Sequence, residues 1–230
     1  MDMTNHVPHG PMDWTELQKE IRECRLCTTA SLAQVHCPDA RVPVVAPRTV
    51  KLLFISEAPP LKKHCYFYYE AANDRLRERV FGILRELGYE ISTIQDFSNA
   101  GFYLLPTVKC ASAKGGRNSA PSGRVITLCA GLHLKREIEH IQPDGILLLG
   151  RTALHGFLYL CELWEVELPP RLSKRSTVTD VAGTLLKLRL GGKAMTIMPS
   201  YWPTRRHRKY HEIGVHIRQL MAELDRPKRL

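Results

Sequence analysis

The sequence predicts an α/β sandwich built around a mostly parallel sheet. Three observations carry that expectation. Short apolar runs stop at turn-forming residues: VKLLFIS at Val50–Ser56 before Glu57-Ala58-Pro59-Pro60, and ILLL at Ile146–Leu149 before Gly150. Runs of this kind suit strands buried on both faces, as parallel strands are. Between them lie segments with apolar residues at helical spacing, the alternation of a parallel α/β fold. With 230 residues, no internal repeat and no linker, the chain reads as one domain over 1–230 with one sizeable core.

The elements follow in order. Asp13-Trp14-Thr15-Glu16 reads as a capping box, and Trp14, Leu17, Ile21 and Cys24 recur at helical spacing. The N-terminal helical segment 12–29 thus delivers Cys24 and Cys27 at its end. Pro38–Pro47 is an irregular connector. Arg75–Leu87 carries Leu76, Val80, Ile83, Leu84 and Leu87 on one face, with Gly88 as C-cap. Phe102–Val108 is a second strand, and the Gly-, Ser- and Ala-rich stretch Ser112–Gly123 is a loop. Val125–Ile141 and Arg151–Trp164 are helices, and Val166–Ser176 is a linker interrupted by prolines. Leu185–Leu190 and Ala194–Met198 flank Gly191-Gly192, the simplest hairpin signal in the chain. The basic C-terminal segment 205–226, helical from Arg205 to Leu224, closes the domain.

The charge is unusual: 33 Lys and Arg against 23 Asp and Glu give a net +10. An excess of this size points to a polyanionic partner, first of all nucleic acid. No stretch approaches the roughly 20 continuous apolar residues that span a bilayer, and the N-terminus carries no secretory pattern. The expectation is a cytoplasmic, nucleoid-associated monomer.

Seven cysteines in a reducing compartment point to metal or redox chemistry rather than disulfides. Cys24 and Cys27 form C-x-x-C. Cys110 ends a strand and Cys129 lies early in a helix, making the other well-placed pair. Four thiolates suit either tetrahedral zinc or an iron–sulfur cluster, and the lack of a second C-x-x-C favours the cluster. Cys37 rivals these for a ligand position, whereas Cys65 and Cys161 read as incidental or buried thiols.

Together, C-R-L-C at the end of the first helix, LLFISEAPP, VKC, a helical cysteine some twenty residues on, ILLLGRTA and MPS resemble the iron–sulfur (family 4) uracil-DNA glycosylases. The motifs keep their order over about residues 14–215. The resemblance implies a three-layer α/β/α sandwich with a four-stranded parallel sheet and a DNA site at the strands' carboxyl ends. It implies a structural [4Fe-4S] cluster on Cys24, Cys27, Cys110 and Cys129. It also implies a glycosylase that flips a damaged base into a pocket and hydrolyses its N-glycosidic bond. Glu57 is then the carboxylate that positions water or stabilises the sugar cation, and Ala58 lies in the base-binding motif. Phe67, within Tyr66-Phe67-Tyr68-Tyr69, is the ring that stacks on the base. Ser200 belongs to the family's H-P-S motif. In the loop that follows, Tyr201 and Trp202 wedge into the minor groove, while Arg205, Arg206, Arg208 and Lys209 hold phosphates.

Three departures qualify this expectation. Pro60 replaces a glycine, Pro106 stands where an asparagine reads uracil, and Met198 stands where a histidine donates to the leaving base. Loss of one such donor costs on the order of 10² to 10³ in rate. The resemblance therefore leaves two functions open: a glycosylase whose base preference is other than uracil or broad and weak, or a non-catalytic or weakly active DNA-binding relative that recognises damaged or single-stranded DNA. A third class, an enzyme of small nucleotides, does not account for the basic charge.

Overall fold

The computed structural model of the protein describes residues 13–30, 32, 34–36, 43, 46–62, 66–71, 73–190, 192–204 and 209–226. Their elements run α1 (Trp14–Glu23), α2 (Leu26–Thr29), β1 (Gln34–Val35), β2 (Leu52–Ser56), α3 (Arg75–Glu86), α4 (Ile94–Asn99), β3 (Phe102–Pro106), β4 (Ala111–Lys114) and β5 (Arg117–Asn118). The second half continues with α5 (Gly123–Cys129), a π-helical turn (Ala130–Leu134), α6 (Lys135–Ile141), β6 (Gly145–Leu149), α7 (Gly150–Leu163), α8 (Val178–Val181), β7 (Leu186–Leu190), β8 (Lys193–Ser200) and α9 (Glu212–Leu224).

Every residue of β2, β3 and β6 is buried, as strands covered on both faces must be. They belong to a five-stranded sheet of order β3-β2-β6-β8-β7. The first four strands run parallel and form the expected parallel sheet. The fifth, β7, is antiparallel to β8 and forms the expected hairpin with it. Leu186, Leu188 and Leu190 point inward while Lys187 and Arg189 are exposed, so this edge strand has one wet face. At the opposite edge, Tyr68 Oη donates to Leu104 O and accepts from Leu104 N, both at 2.9 Å. One phenol thereby occupies backbone groups that would otherwise invite another strand.

α7 lies against β6, β2 and β8, while α9 packs on β8 and β6 beside α3. Gly145 permits the approach of α9: a Cβ there would stand 2.8 Å from Leu224 Cδ1. Near β3 the core is aromatic, with Phe54, Phe97 and Phe102 at centroid separations of 5.6–6.0 Å.

The structure corrects several local expectations. Asp13 precedes α1 but makes no side-chain capping bond, so the capping box is not formed. α1 ends at Glu23, which leaves Cys24 at its C-cap and Cys27 on the separate turn α2. The segment read as a loop, Ser112–Gly123, contains most of a β-hairpin, β4–β5, whose other edge pairs with β1. The helix expected over Val125–Ile141 is broken immediately after Cys129 by the π-helical turn. α4, which the sequence reading passed over, has its own capping box at Thr93 and Asp96. The closing helix begins at Glu212. Arg205, Arg206, Arg208, Cys37 and Cys65 lie outside the described residues.

Candidate active site and cysteine cavity

β2 leads to β3 on one side and has β6 on its other side, so its carboxyl end is the switch point where open α/β sheets bind ligands. A cavity of about 880 Å³ lies there, bordered by Ser56, Glu57, Ala58 and Pro106. The loop after β2 is fixed because pairing continues past the strands. Thr107 N donates to Ser56 O at 2.9 Å and Val108 N to Glu57 O at 3.0 Å. Thr107 Oγ1 also donates to Ser56 O at 2.7 Å.

Glu57 is half-buried in the cavity wall. Its Oε2 accepts a 2.7 Å hydrogen bond from Thr152 Oγ1. Thr152 is the third residue of α7 and only 3 % exposed. Two glycines set this approach. Gly150 adopts φ +82°, a conformation that side chains disfavour. A Cβ on Gly156 would fall 2.4 Å from Thr107 Cγ2. The close seating of α7 on the loop after β3 brings the threonine hydroxyl to the carboxylate.

The lining also includes Phe67, which is 2 % exposed and packs against Tyr68, Phe97 and Phe81 at centroid distances of 5.1, 5.4 and 5.9 Å. Arg77 Nη1 holds the turn beneath it by donating to Phe67 O at 2.7 Å and Tyr69 O at 2.9 Å. Asp74 also borders the cavity and caps α3 by accepting from Arg77 N at 2.6 Å. Burial holds its carboxyl above the ordinary value. Arg79 Nη1 donates to Pro203 O at 2.8 Å, tying α3 to the segment that carries Trp202.

Of the residues singled out in sequence, Glu57, Ala58, Phe67, Pro106 and Trp202 meet around this cavity. Met198 and Ser200 do not border it; both are fully buried in β8. The Ser200 hydroxyl is engaged with His216 Nδ1 at 2.8 Å. Tyr201, expected as a wedge, is 5 % exposed and lies with its ring 5.8 Å from that of His216. Inserting it between bases would empty part of the core, so Trp202 is the ring left at the cavity edge. Lys209 lies over the Tyr201 ring at 5.2 Å and pairs with Glu212 at 3.3 Å. Sequence reasoning missed Thr152, Asp74 and Arg79, and it missed Ser112, Asn118 and Ser119, which the hairpin brings to the cavity. Lys-Gly-Gly-Arg at 114–117 was an available hairpin signal.

Cys24, Cys27, Cys110 and Cys129 line a second, small cavity together with Leu26, Leu128, Leu132, Lys109 and His133. The four thiols come from three separate segments: the α1–α2 junction, the turn before β4, and the end of α5. Burial pushes the Cys129 thiol up to about 12, opposed by the nearby Lys109, whose N–H donates to Cys129 Sγ at 3.2 Å. Lys109 Nζ is ion-paired with Glu137, and both side chains are at most 1 % exposed. Among the described residues, no three His, Cys, Asp or Glu side chains converge closely enough for a single metal ion. Cys161 is fully buried in α7, away from this cavity.

Residues 42–224 match the family described as the uracil DNA glycosylase superfamily. The chain is also 23 % identical over 188 residues to a type-4 uracil-DNA glycosylase of Archaeoglobus fulgidus, covering 82 % of this chain and 80 % of that one. The matched segment holds the parallel sheet, the cavity at its carboxyl edge and two of the four clustered cysteines; on that ground the chain belongs to the uracil DNA glycosylase superfamily.

Proposed function

We propose that the protein is a DNA glycosylase that draws a damaged base into the cavity at the end of β2 and hydrolyses its N-glycosidic bond. The observation that carries this reading is the Glu57 carboxylate in the cavity wall, oriented by the Thr152 hydroxyl at 2.7 Å. A carboxylate held in this way can orient water towards the sugar and stabilise the positive charge that develops on it. Phe67 contributes an apolar ring to the cavity lining, and the cavity volume lies within the range of small-molecule pockets, roughly 300–1,000 Å³. The base preferred is one other than uracil. Pro106 has no N–H to give, and Met198 is buried in β8 with no polar hydrogen, so neither can supply the contacts that the family's asparagine and histidine make.

The four-cysteine cavity supports a [4Fe-4S] cluster held by Cys24, Cys27, Cys110 and Cys129. Four thiols border one space, and four thiolate ligands are the donor set of a [4Fe-4S] cluster. The cluster would staple three segments together and take no part in hydrolysis. Anaerobically purified protein is expected to be brown; a colourless preparation with stoichiometric zinc would refute the assignment.

The activity is tested with duplex and single-stranded oligonucleotides carrying uracil, hypoxanthine, xanthine or oxidised pyrimidines, followed by alkaline cleavage at abasic sites. Release of a non-uracil base that is lost in Glu57→Ala is the expected result. The burial of Met198 favours one second reading, a DNA-binding protein without catalysis. No release on any substrate, with tight and salt-sensitive binding, would establish that reading instead.

A further inference from the structure

We propose that the β4–β5 hairpin is a clamp for the phosphates of the DNA strand whose base enters the cavity, an inference that rests on the DNA reading above. Lys114 and Arg117 are direct cross-strand partners on either side of the Gly115-Gly116 turn. Like charges placed opposite one another across a ladder repel and destabilise the pair. Both side chains are exposed, and neither is ion-paired to a carboxylate among the described residues. Their repulsion is relieved when a polyanion lies across them.

The turn suits that contact. Gly115 and Gly116 have φ +57° and +72°, and a Cβ on either would meet nothing within 4 Å. The tip is therefore tight, open and unobstructed, and a phosphodiester can approach its backbone. The hairpin also borders the cavity. Asn118 and Ser119 border it, and Asn118 Oδ1 accepts from Leu61 N at 2.7 Å, which joins the hairpin to the loop that follows Glu57. At its base, β4 begins immediately after Cys110, and Ser112 Oγ donates to Gln34 Oε1 of β1 at 2.9 Å. The hairpin thus links the segment that follows Cys110 to the loop beside the base cavity, and at its tip it carries two cations that have no ion-pair partner among the described residues.

The test is fluorescence anisotropy of the full chain on one labelled oligonucleotide, single-stranded and duplex, across a salt series. Wild type should show steeply salt-dependent affinity. Removing two phosphate contacts in K114A/R117A should reduce the slope of log K against log salt by about 1.4 on the single strand and about 1.8 on the duplex. K114R/R117K should keep the slope. The Tm of K114A/R117A should equal or exceed that of wild type, because a repulsion has been removed. If wild type binds DNA steeply and K114A/R117A binds identically, the clamp is refuted and the DNA reading stands. If wild type has no affinity for either oligonucleotide, both are refuted. Lost affinity accompanied by a lowered Tm also overturns the clamp, since the cations would then serve the fold.

Discussion

Thr152→Val removes one hydroxyl and keeps the shape of the side chain. The hydroxyl donates to Glu57 Oε2 at 2.7 Å from a site 3 % exposed. Hydrogen bonds to charged groups contribute roughly 1.5–3 kcal/mol, and each 1.36 kcal/mol on a barrier is about tenfold in rate. If the bond holds the carboxylate in its productive position, the glycosylase rate should fall by about 10- to 150-fold. DNA affinity should stay unchanged, because Thr152 lies behind the carboxylate. Single-turnover base release measures the rate and anisotropy measures affinity. The decisive comparison is made in the Glu57→Ala background, where Thr152→Val should do almost nothing further. An equal rate in the single variant, or a full additional loss in the double variant, would show that the hydroxyl does not act through Glu57.

Three further outcomes follow from the same structure. Glu137→Gln leaves Lys109 charged and unpaired in a site 1 % exposed, and breaking a buried pair from one side costs about 3–5 kcal/mol; urea denaturation of the full chain should show that loss. Gly156→Ala places a methyl 2.4 Å from Thr107 Cγ2, and overpacking of this kind costs about 1–3 kcal/mol, so both Tm and base release should drop. Burial holds the His216 imidazole below its ordinary value, with Glu212 opposing and Lys209 adding to the shift. The unfolded chain takes up a proton near pH ~6.5 that the folded chain refuses, so this residue's contribution is complete above that pH and declines as pH falls below it. Tm measured from neutral to acidic pH should fall less in His216→Gln than in wild type; parallel curves would refute this.

Much of the architecture was legible because it depends on burial pattern alone. LLFIS, FYLLP and GILLL have no face that tolerates water, so each had to become a strand covered on both sides. The Gly191-Gly192 turn announced β7 and β8, although the number of strands grew to five once that hairpin joined the sheet. Where the reading failed, local composition was an inadequate guide. Ser112–Gly123 looks like a loop because it is small and polar, yet its strands are stabilised by pairing with β1, nearly eighty residues earlier. Asp13 has the residue type of a cap, but its side chain makes no capping bond.

The candidate site divides in the same way. Glu57, the aromatic run and the four cysteines stand out in sequence, because carboxylates beside prolines, clustered rings and C-x-x-C are rare local patterns. Tyr201 and Trp202 are adjacent and chemically alike, yet one ring is packed against His216 and the other borders the cavity. Only the direction of each side chain at the end of β8 separates them. The sequence by itself determined the strands of the five-stranded sheet, their order of appearance and the types of group available for chemistry, since these follow from short-range pattern and residue identity. The tertiary structure alone decided that Thr152 meets Glu57 across 95 positions, that three segments bring their thiols to one cavity, and that Lys114 and Arg117 stand exposed and opposite one another in a hairpin. Those contacts depend on how closely α7, α5 and the hairpin can approach the sheet. That closeness is set by glycines, backbone pairing and packing between residues distant in the chain.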